Sequence, residues 1–288
     1  MRKPHWVFPK PCDIAGGHEV RRLMRELRLA TVCDSARCPN RGECLESGTA
    51  TFLILGEICT RRCGFCAIGT GHPGQPDPDE PASVAEAVGR LGLAYAVVTS
   101  VTRDDLADGG ASQFAKTLGA IHQGCPAVPV EVLVPDFAGK PGSLEAVLAA
   151  GPAVFSHNLE TVPRLYAAVR PGADYARSLA LLRRSREIAP AIPTKSGLMV
   201  GFGEQFAEVA AVLADLAAAG VALLTIGQYL QPGNGSLPVE RYWLPEEFAA
   251  LEEAGRAAGI ARVTAGPLVR SSYRAREAYR GGAGILPR

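Results

Sequence analysis

The stretch TATFLILGEICTRRCGFC, residues 49–66, decides the fold. Thr49 to Gly56 is a compact apolar run of strand length closed by a glycine, so it predicts a buried strand with Cys59 in the loop beyond it. Active sites of parallel β/α barrels lie in such loops after strands. Five further apolar runs follow, near Tyr95, Val130, Val154, Leu198 and Leu224. Between the runs, segments such as ASQFAKTLGAIHQ and EQFAEVAAVLADLAAAG repeat apolar residues three or four apart and end near Gly or Pro. Strand-helix alternation of this kind predicts βα units on a parallel sheet, and six strands fall short of a closed eight-stranded barrel.

Composition narrows the class. The chain has 288 residues, 47% hydrophobic and 20% charged, enough for one substantial core. With 30 Lys and Arg against 29 Asp and Glu, net charge gives no argument for nucleic acid or an anionic membrane. MRKPHWVFPK lacks the apolar stretch of a secretory signal, and no segment approaches the roughly 18 to 20 apolar residues of a membrane span. A cytoplasmic protein is expected.

Six of the eight cysteines crowd into two triplets, Cys33-x4-Cys38-x5-Cys44 and Cys59-x3-Cys63-x2-Cys66. A disulfide framework suits short secreted chains, whereas clustered thiols in a reducing compartment more often hold a metal. Structural zinc sites favour two C-x2-C pairs, and only Cys63 and Cys66 make one. Each triplet is one ligand short of four, which suits a cubane iron-sulfur cluster with one iron left open. Cys12 and Cys125 stand apart and read as small buried hydrophobes.

The second triplet, with Phe65 just before its last cysteine, resembles the signature of the radical S-adenosylmethionine (SAM) enzymes. The resemblance implies that Cys59, Cys63 and Cys66 hold a [4Fe-4S] cluster whose open iron is chelated by SAM, and that an electron from it yields a 5'-deoxyadenosyl radical. A wider resemblance, to the lipoyl synthase family, runs through 32–66, VVTSVTRDDLADGGA (97–111), HNLETV (157–162), KSGLMVGFGE (195–204), GQYLQP (227–232) and GPLVRSSY (266–273). It implies a partial (β/α)6 TIM-like barrel, with N- and C-terminal extensions that together hold a second, auxiliary [4Fe-4S] cluster. That cluster's ligands are Cys33, Cys38, Cys44 and a serine of the RSSY motif, Ser272, with Ser271 the alternative. The chain divides accordingly into 1–48 (helix at about 18–29 and cysteine arm), 49–244 (barrel) and 245–288 (extension with RSSY), all one structural domain. Gly64 departs from the family pattern, where a larger residue or proline is usual, as does GFGE in place of GLGE.

The same resemblance puts Asn158, Glu160, Arg177, Lys195 and Gly197 at the cofactor. Against this, Asn158 could simply shape a turn, Gly197 serve strand packing, Arg177 lie on a solvated helix face, and the aspartates of VTRDDLADGGA cap the next helix. The activity implied is insertion of two sulfur atoms at C6 and C8 of an octanoyl-lysine. The auxiliary cluster acts as sulfur donor, and two SAM are used per product. Partners implied are octanoylated carrier domains (2-oxoacid dehydrogenase E2 subunits, glycine cleavage H protein), an electron donor and an iron-sulfur repair or carrier protein. General acid-base catalysis, contributing about 10² to 10⁴ fold, cannot activate such C–H bonds. The alternatives are another radical SAM sulfur-inserting enzyme, or a two-cluster electron carrier, whose usual C-x2-C-x2-C-x3-C-P spacing is absent.

Overall fold

The run at 49–54 is a strand with every residue buried, and it sits one place in from the edge of an eight-stranded sheet. The computed structural model describes residues 2–8, 15–32, 38, 40, 43–44 and 48–280, so Cys12 and Cys33 lie outside the described residues. In chain order the sheet strands are β1 (Ala30–Thr31), β2 (Thr49–Ile54), β5 (Tyr95–Ser100), β6 (Val130–Leu133), β7 (Val154–Ser156), β8 (Thr194–Val200), β9 (Leu223–Gln228) and β10 (Arg262–Gly266). They are arranged in that same sequence. β3 (Ile58–Cys59) and β4 (Gly69–Thr70) pair separately and bracket the second cysteine triplet. All pairings in the large sheet are parallel except β1 on β2. Among the described residues no pairing joins β1 to β10, so the curl stays open on one side.

The six expected strands are β2 and β5 to β9. The sheet is wider by one strand at each edge, because 262–266, assigned to the C-terminal extension, pairs in full register with β9. The sequence at 260–265 reads as a short apolar strand-like run, but its place as an eighth sheet strand beside β9 is set by tertiary pairing, and only Val263 of it is fully buried. The helices are α1 (Ala15–Glu26), α2 (Glu80–Arg90), α3 (Ala111–Gly124), α4 (Ser143–Ala149), α5 (Tyr166–Val169), α6 (Tyr175–Ile188), α7 (Phe206–Ala218), α8 (Pro245–Ala257) and α9 (Ala275–Arg280). No described helix is long and apolar enough to cross a membrane.

Side chains alternate across each strand, which separates two chemistries. Outward, Phe52, Val98, Val132 and Phe155 pack with Leu118 and Val147 of the helices, and Leu224 and Ile226 with Val212 and Leu251. Each such side chain taken from water contributes roughly 1.5–3 kcal/mol. Inward, the wall is polar: Tyr95, Glu131, Lys195 and Thr225 are buried there. Lys195 Nζ donates to both Glu131 oxygens at 2.8 and 3.0 Å, and the Tyr95 hydroxyl donates to Glu131 Oε2 at 3.1 Å.

The C-terminal helix α9 enters this inner face. Ala275 and Tyr279 pack on Tyr95 and Val97, with the tyrosine rings 5.6 Å apart, and Arg262 Nη1 donates to the Glu277 and Ala278 carbonyls. The 266–274 segment that leads into α9 lies against Gly227 near the end of β9.

Candidate iron-sulfur and cofactor site

The cysteine loop leaves β2 through Leu55 and Gly56, both at positive φ, which turns the chain sharply across the strand ends. Cys59 Sγ accepts the Arg61 N–H at 3.4 Å and the Thr102 N–H at 3.3 Å, and Cys66 Sγ accepts the Ile68 N–H at 3.5 Å. Gly64 donates to the Val169 carbonyl at 2.9 Å and accepts the Leu237 N–H at 2.8 Å. A Cβ at Gly64 would stand 2.6 Å from Leu237 Cδ1 and 3.0 Å from the Ala168 carbonyl, which explains glycine at this unusual position. Thus α5 and the 230–243 crossing segment together clamp the loop.

Arg61, in the middle of the triplet, anchors it to the barrel. Its Nε and Nη2 donate to Asp104 at 2.6 and 2.8 Å, and Nη2 also donates to Asp136 at 2.7 Å. Arg177 Nε donates to the other Asp136 oxygen at 2.8 Å. Burial disfavours the Asp136 carboxylate, but hydrogen bonds and charge from Arg61, with Arg177, overcome it and hold the group well below the usual carboxylate range. Of the neighbouring aspartates, Asp105 pairs with Arg103 and Asp108 accepts the Gly110 and Ser112 N–H groups as α3 begins.

The three thiols lie within electrostatic reach of one another, and burial pushes the Cys63 thiol up to about 11 and raises Cys66 also. Thiols raised in this way become thiolates when a cation supplies the charge. Among the described residues no three His, Cys, Asp or Glu side chains could hold a single metal ion. A soft donor set of three thiols, with backbone N–H groups aimed at sulfur, fits a cubane cluster, in which each thiolate binds a different iron and the three sulfurs stand further apart than the ligands of one ion.

At the end of β7, HNLETV makes a polar shelf. Asn158 Nδ2 donates to Glu160 Oε1 at 2.9 Å and to Ser271 Oγ at 2.6 Å, while its Oδ1 is buried without a partner. Burial pushes the Glu160 carboxyl up, against the pull of Arg170 and Asn158. His157 bonds the Val134 carbonyl through Nδ1 at 2.8 Å, and its buried Nε2 has no partner. Arg170 Nη1 ties the shelf from below through the Asn158 and Leu159 carbonyls. A Cβ at Gly197 would lie 2.7 Å from Asn158 Oδ1, so the glycine makes room for the amide. Unsatisfied buried acceptors beside a carboxyl group fit a ligand with both donors and charge.

Lys195 and Arg177 lie apart from the shelf, the first on Glu131 and the second on Asp136. In GFGE, Glu204 accepts the Gly201 and Phe202 N–H groups and the Trp243 indole N–H at 2.6, 2.9 and 2.8 Å, locking the β8 exit to the crossing segment. Asp136, Glu131 and Arg170 were not singled out in the sequence. The available signal was a carboxylate inside or closing the apolar run PVEVLVPD.

The 266–274 strap joins the shelf to the first triplet. A Cβ at Gly227 would stand 2.0 Å from the Val269 carbonyl, so the strap lies directly on β9. Asn40 Nδ2 donates to the Leu268 carbonyl, and Glu43 Oε1 accepts the Tyr273 hydroxyl and Arg274 Nη2, both at 3.0 Å. Burial pushes the Cys44 thiol up to about 11, with Cys38 and Glu43 adding and the Arg274 N–H opposing, and Cys38 interacts with the half-buried Arg270. Cys38, Cys44 and the strap therefore meet, with Ser272 between Arg270 and Arg274 in sequence. The third cysteine of that triplet, Cys33, falls outside the described residues.

An open parallel sheet with C-x3-C-x2-C at the end of its first parallel strand defines the class. Residues 53–216 match the model of the Radical SAM superfamily. The fold is shared with HydG, a maturase of the [FeFe]-hydrogenase (TM-score 0.60, 13% identity, 87% of this chain and 66% of that one), and with methylornithine synthase, PylB (TM-score 0.51, 13% identity, 78% and 67%). Lipoyl synthase of Xylella fastidiosa strain 9a5c is 53% identical over 281 residues, 96% of this chain and 74% of its own length. That of Nitrosococcus oceani is 55% identical over 279 residues, 96% and 85%. The chain is a radical SAM protein and belongs to the lipoyl synthase family.

Proposed function

We propose that this enzyme inserts sulfur at C6 and C8 of an octanoyl chain amide-linked to a lysine of a carrier domain, in the cytoplasm. The observation carrying this reading is identity above half with lipoyl synthases over nearly the whole chain. When bound, a [4Fe-4S] cluster with SAM supplies homolytic hydrogen abstraction, chemistry that no side-chain base offers at an unactivated C–H bond.

The chain's own residues hold and orient. Cys59, Cys63 and Cys66 ligate the first cluster, with Arg61 fixing their loop to Asp104 and Asp136. Asn158, Glu160 and Gly197 form the SAM shelf. Lys195 supports the shelf through its backbone carbonyl, which accepts the His157 N–H at 3.0 Å, while its side chain rests on Glu131, and Arg177 supports the loop through Asp136. Cys33, Cys38, Cys44 and Ser272 ligate the auxiliary cluster that donates sulfur. Ser272 is preferred over Ser271 because Asn158 already engages the Ser271 hydroxyl. Regions 1–48 and 245–288 thus serve the auxiliary cluster and 49–244 the radical chemistry. Two SAM are consumed per product. The partners are octanoylated 2-oxoacid dehydrogenase E2 subunits and glycine cleavage H protein, an electron donor, and an iron-sulfur repair or carrier protein.

The test is iron and acid-labile sulfide per chain after anaerobic reconstitution, followed by mass spectrometry of an octanoyl-lysine peptide. About eight irons in the wild type and about four in Cys59→Ala/Cys63→Ala/Cys66→Ala are expected for two cysteine-ligated cubanes, with a product gaining two sulfurs. No more than about four irons in the wild type would remove the sulfur-donor mechanism.

A further inference from the structure

We infer that Ser271 is a positioning residue that couples the SAM shelf to the auxiliary-cluster strap, acting through the side-chain amide of Asn158. The inference rests on the assignment of the two sites above and adds the connection between them. Asn158 has two amide hydrogens, and both are committed: one to Glu160 Oε1 at 2.9 Å, on the barrel, and one to Ser271 Oγ at 2.6 Å, on the strap. This pairing fixes which way the amide faces. A flipped amide would set its oxygen against the carboxylate, so Oδ1 has to point over Gly197, where even a Cβ would stand 2.7 Å away. Oδ1 is buried and unpartnered, the one acceptor of this side chain left for a ligand on the shelf.

Ser271 cannot move independently of the strap. Two residues before it, the Val269 carbonyl lies on Gly227, at a spot where a Cβ would come within 2.0 Å. Two and three residues after it, Tyr273 and Arg274 both bond Glu43, and the Arg274 N–H serves Cys44. A change at Cys38 or Cys44 that shifts the strap therefore shifts Ser271 Oγ, and with it the amide whose oxygen faces the shelf. The coupling is reciprocal by linkage: if the state of the auxiliary site alters SAM affinity, SAM alters the auxiliary site by the same factor. One neutral hydrogen bond of ordinary net strength corresponds to a factor of about 2 to 10.

The experiment is anaerobic calorimetric titration of SAM into reconstituted wild type, Ser271→Ala and Ser271→Thr, each with and without Cys38→Ala/Cys44→Ala. Iron content and the electron paramagnetic resonance signal of the reduced first cluster are recorded alongside. Wild-type affinity is expected to fall about 2- to 10-fold when the auxiliary cysteines are removed. Ser271→Ala should show a comparable fall while keeping full iron, with no further loss on removing the cysteines, and Ser271→Thr, which keeps the hydroxyl, should behave as wild type. Equal affinities for wild type and Ser271→Ala, or an undiminished response of Ser271→Ala to loss of the cysteines, overturns the inference. So does loss of auxiliary iron in Ser271→Ala, which would make the serine a ligand or a folding residue. A wild type that binds no SAM at all overturns the functional reading as well, whereas one that binds SAM identically in both backgrounds overturns the coupling alone.

Discussion

Asp136 has no exposed side-chain surface, yet it carries a full charge because Arg61 and Arg177 each give one of its oxygens a hydrogen bond. Removing one member of such a buried cluster leaves the others uncompensated, at a cost of about 3–5 kcal/mol. Asp104, with its side chain 33% exposed, has water as an alternative partner, so its loss should cost about 1 kcal/mol. We therefore expect Asp136→Asn to destabilise the reconstituted protein well beyond Asp104→Asn in anaerobic urea denaturation, and to release iron from the first cluster more readily. The pH dependence has a definite sign. A carboxylate depressed in the fold contributes stability that is present above its unfolded pKa and is lost as pH falls through the folded value. The gap between wild type and Asp136→Asn should accordingly be full at neutral pH and narrow only in acid, below the ordinary aspartate range. Equal stabilities of the two variants at pH 7 would count against Asp136 as the anchor of the loop.

Glycines set how closely the elements of the site approach one another, and they differ in what crowds them. At Gly64 the first obstacle is Leu237 Cδ1, the end of a flexible side chain, so Gly64→Ala should be absorbed by a rotation of Leu237 at about 1–3 kcal/mol. At Gly227 the obstacle is the Val269 backbone carbonyl, which can yield only if the strap lifts from β9. Gly227→Ala should therefore keep the first cluster and lose the auxiliary one, read as a fall from about eight to about four irons per chain for two cubanes. Retention of full iron in Gly227→Ala would show that the strap need not lie on β9. These contacts also mark where the sequence was legible. β2, β5 and β8 announce themselves as buried apolar runs, and the two cysteine triplets as spacings. The run at 260–265 is legible as a short strand, but its joining the sheet in register with β9 is a tertiary fact that no local pattern carries. Likewise, nothing local to CTRRC tells Arg61 from Arg62. What distinguishes Arg61 is the meeting of the loops after β5 and β6, which bring Asp104 and Asp136 to it.

Across the whole molecule, the two proposed cluster sites would tie the chain over very different spans. The first closes a loop within a single turn of chain after β2, from Cys59 to Cys66. In the proposed assignment the auxiliary cluster would tie the arm near Cys44 to the strap, where Glu43 and Arg274, 231 positions apart, already bond. Those existing ties are modest: Arg274 and Glu43 are both about half exposed, which makes their ion pair weak, and α9, at six residues, is too short to be stable without its packing on Tyr95. A cross-link removes more unfolded-state entropy the longer the loop it closes, and the loop-length relation gives about 5 kcal/mol for the long closure against about 2.5 kcal/mol for the short one. Anaerobic thermal denaturation of reconstituted wild type, Cys38→Ala/Cys44→Ala and Cys59→Ala/Cys63→Ala/Cys66→Ala separates the two contributions. Loss of the auxiliary cluster should lower Tm more than loss of the first. Hydrogen exchange should then speed up across 266–280 in the auxiliary variant and stay slow there in the other. The opposite order of Tm values would mean that the ends are held together by side-chain packing alone, and that the auxiliary cluster can be spent as a reagent without loosening the fold.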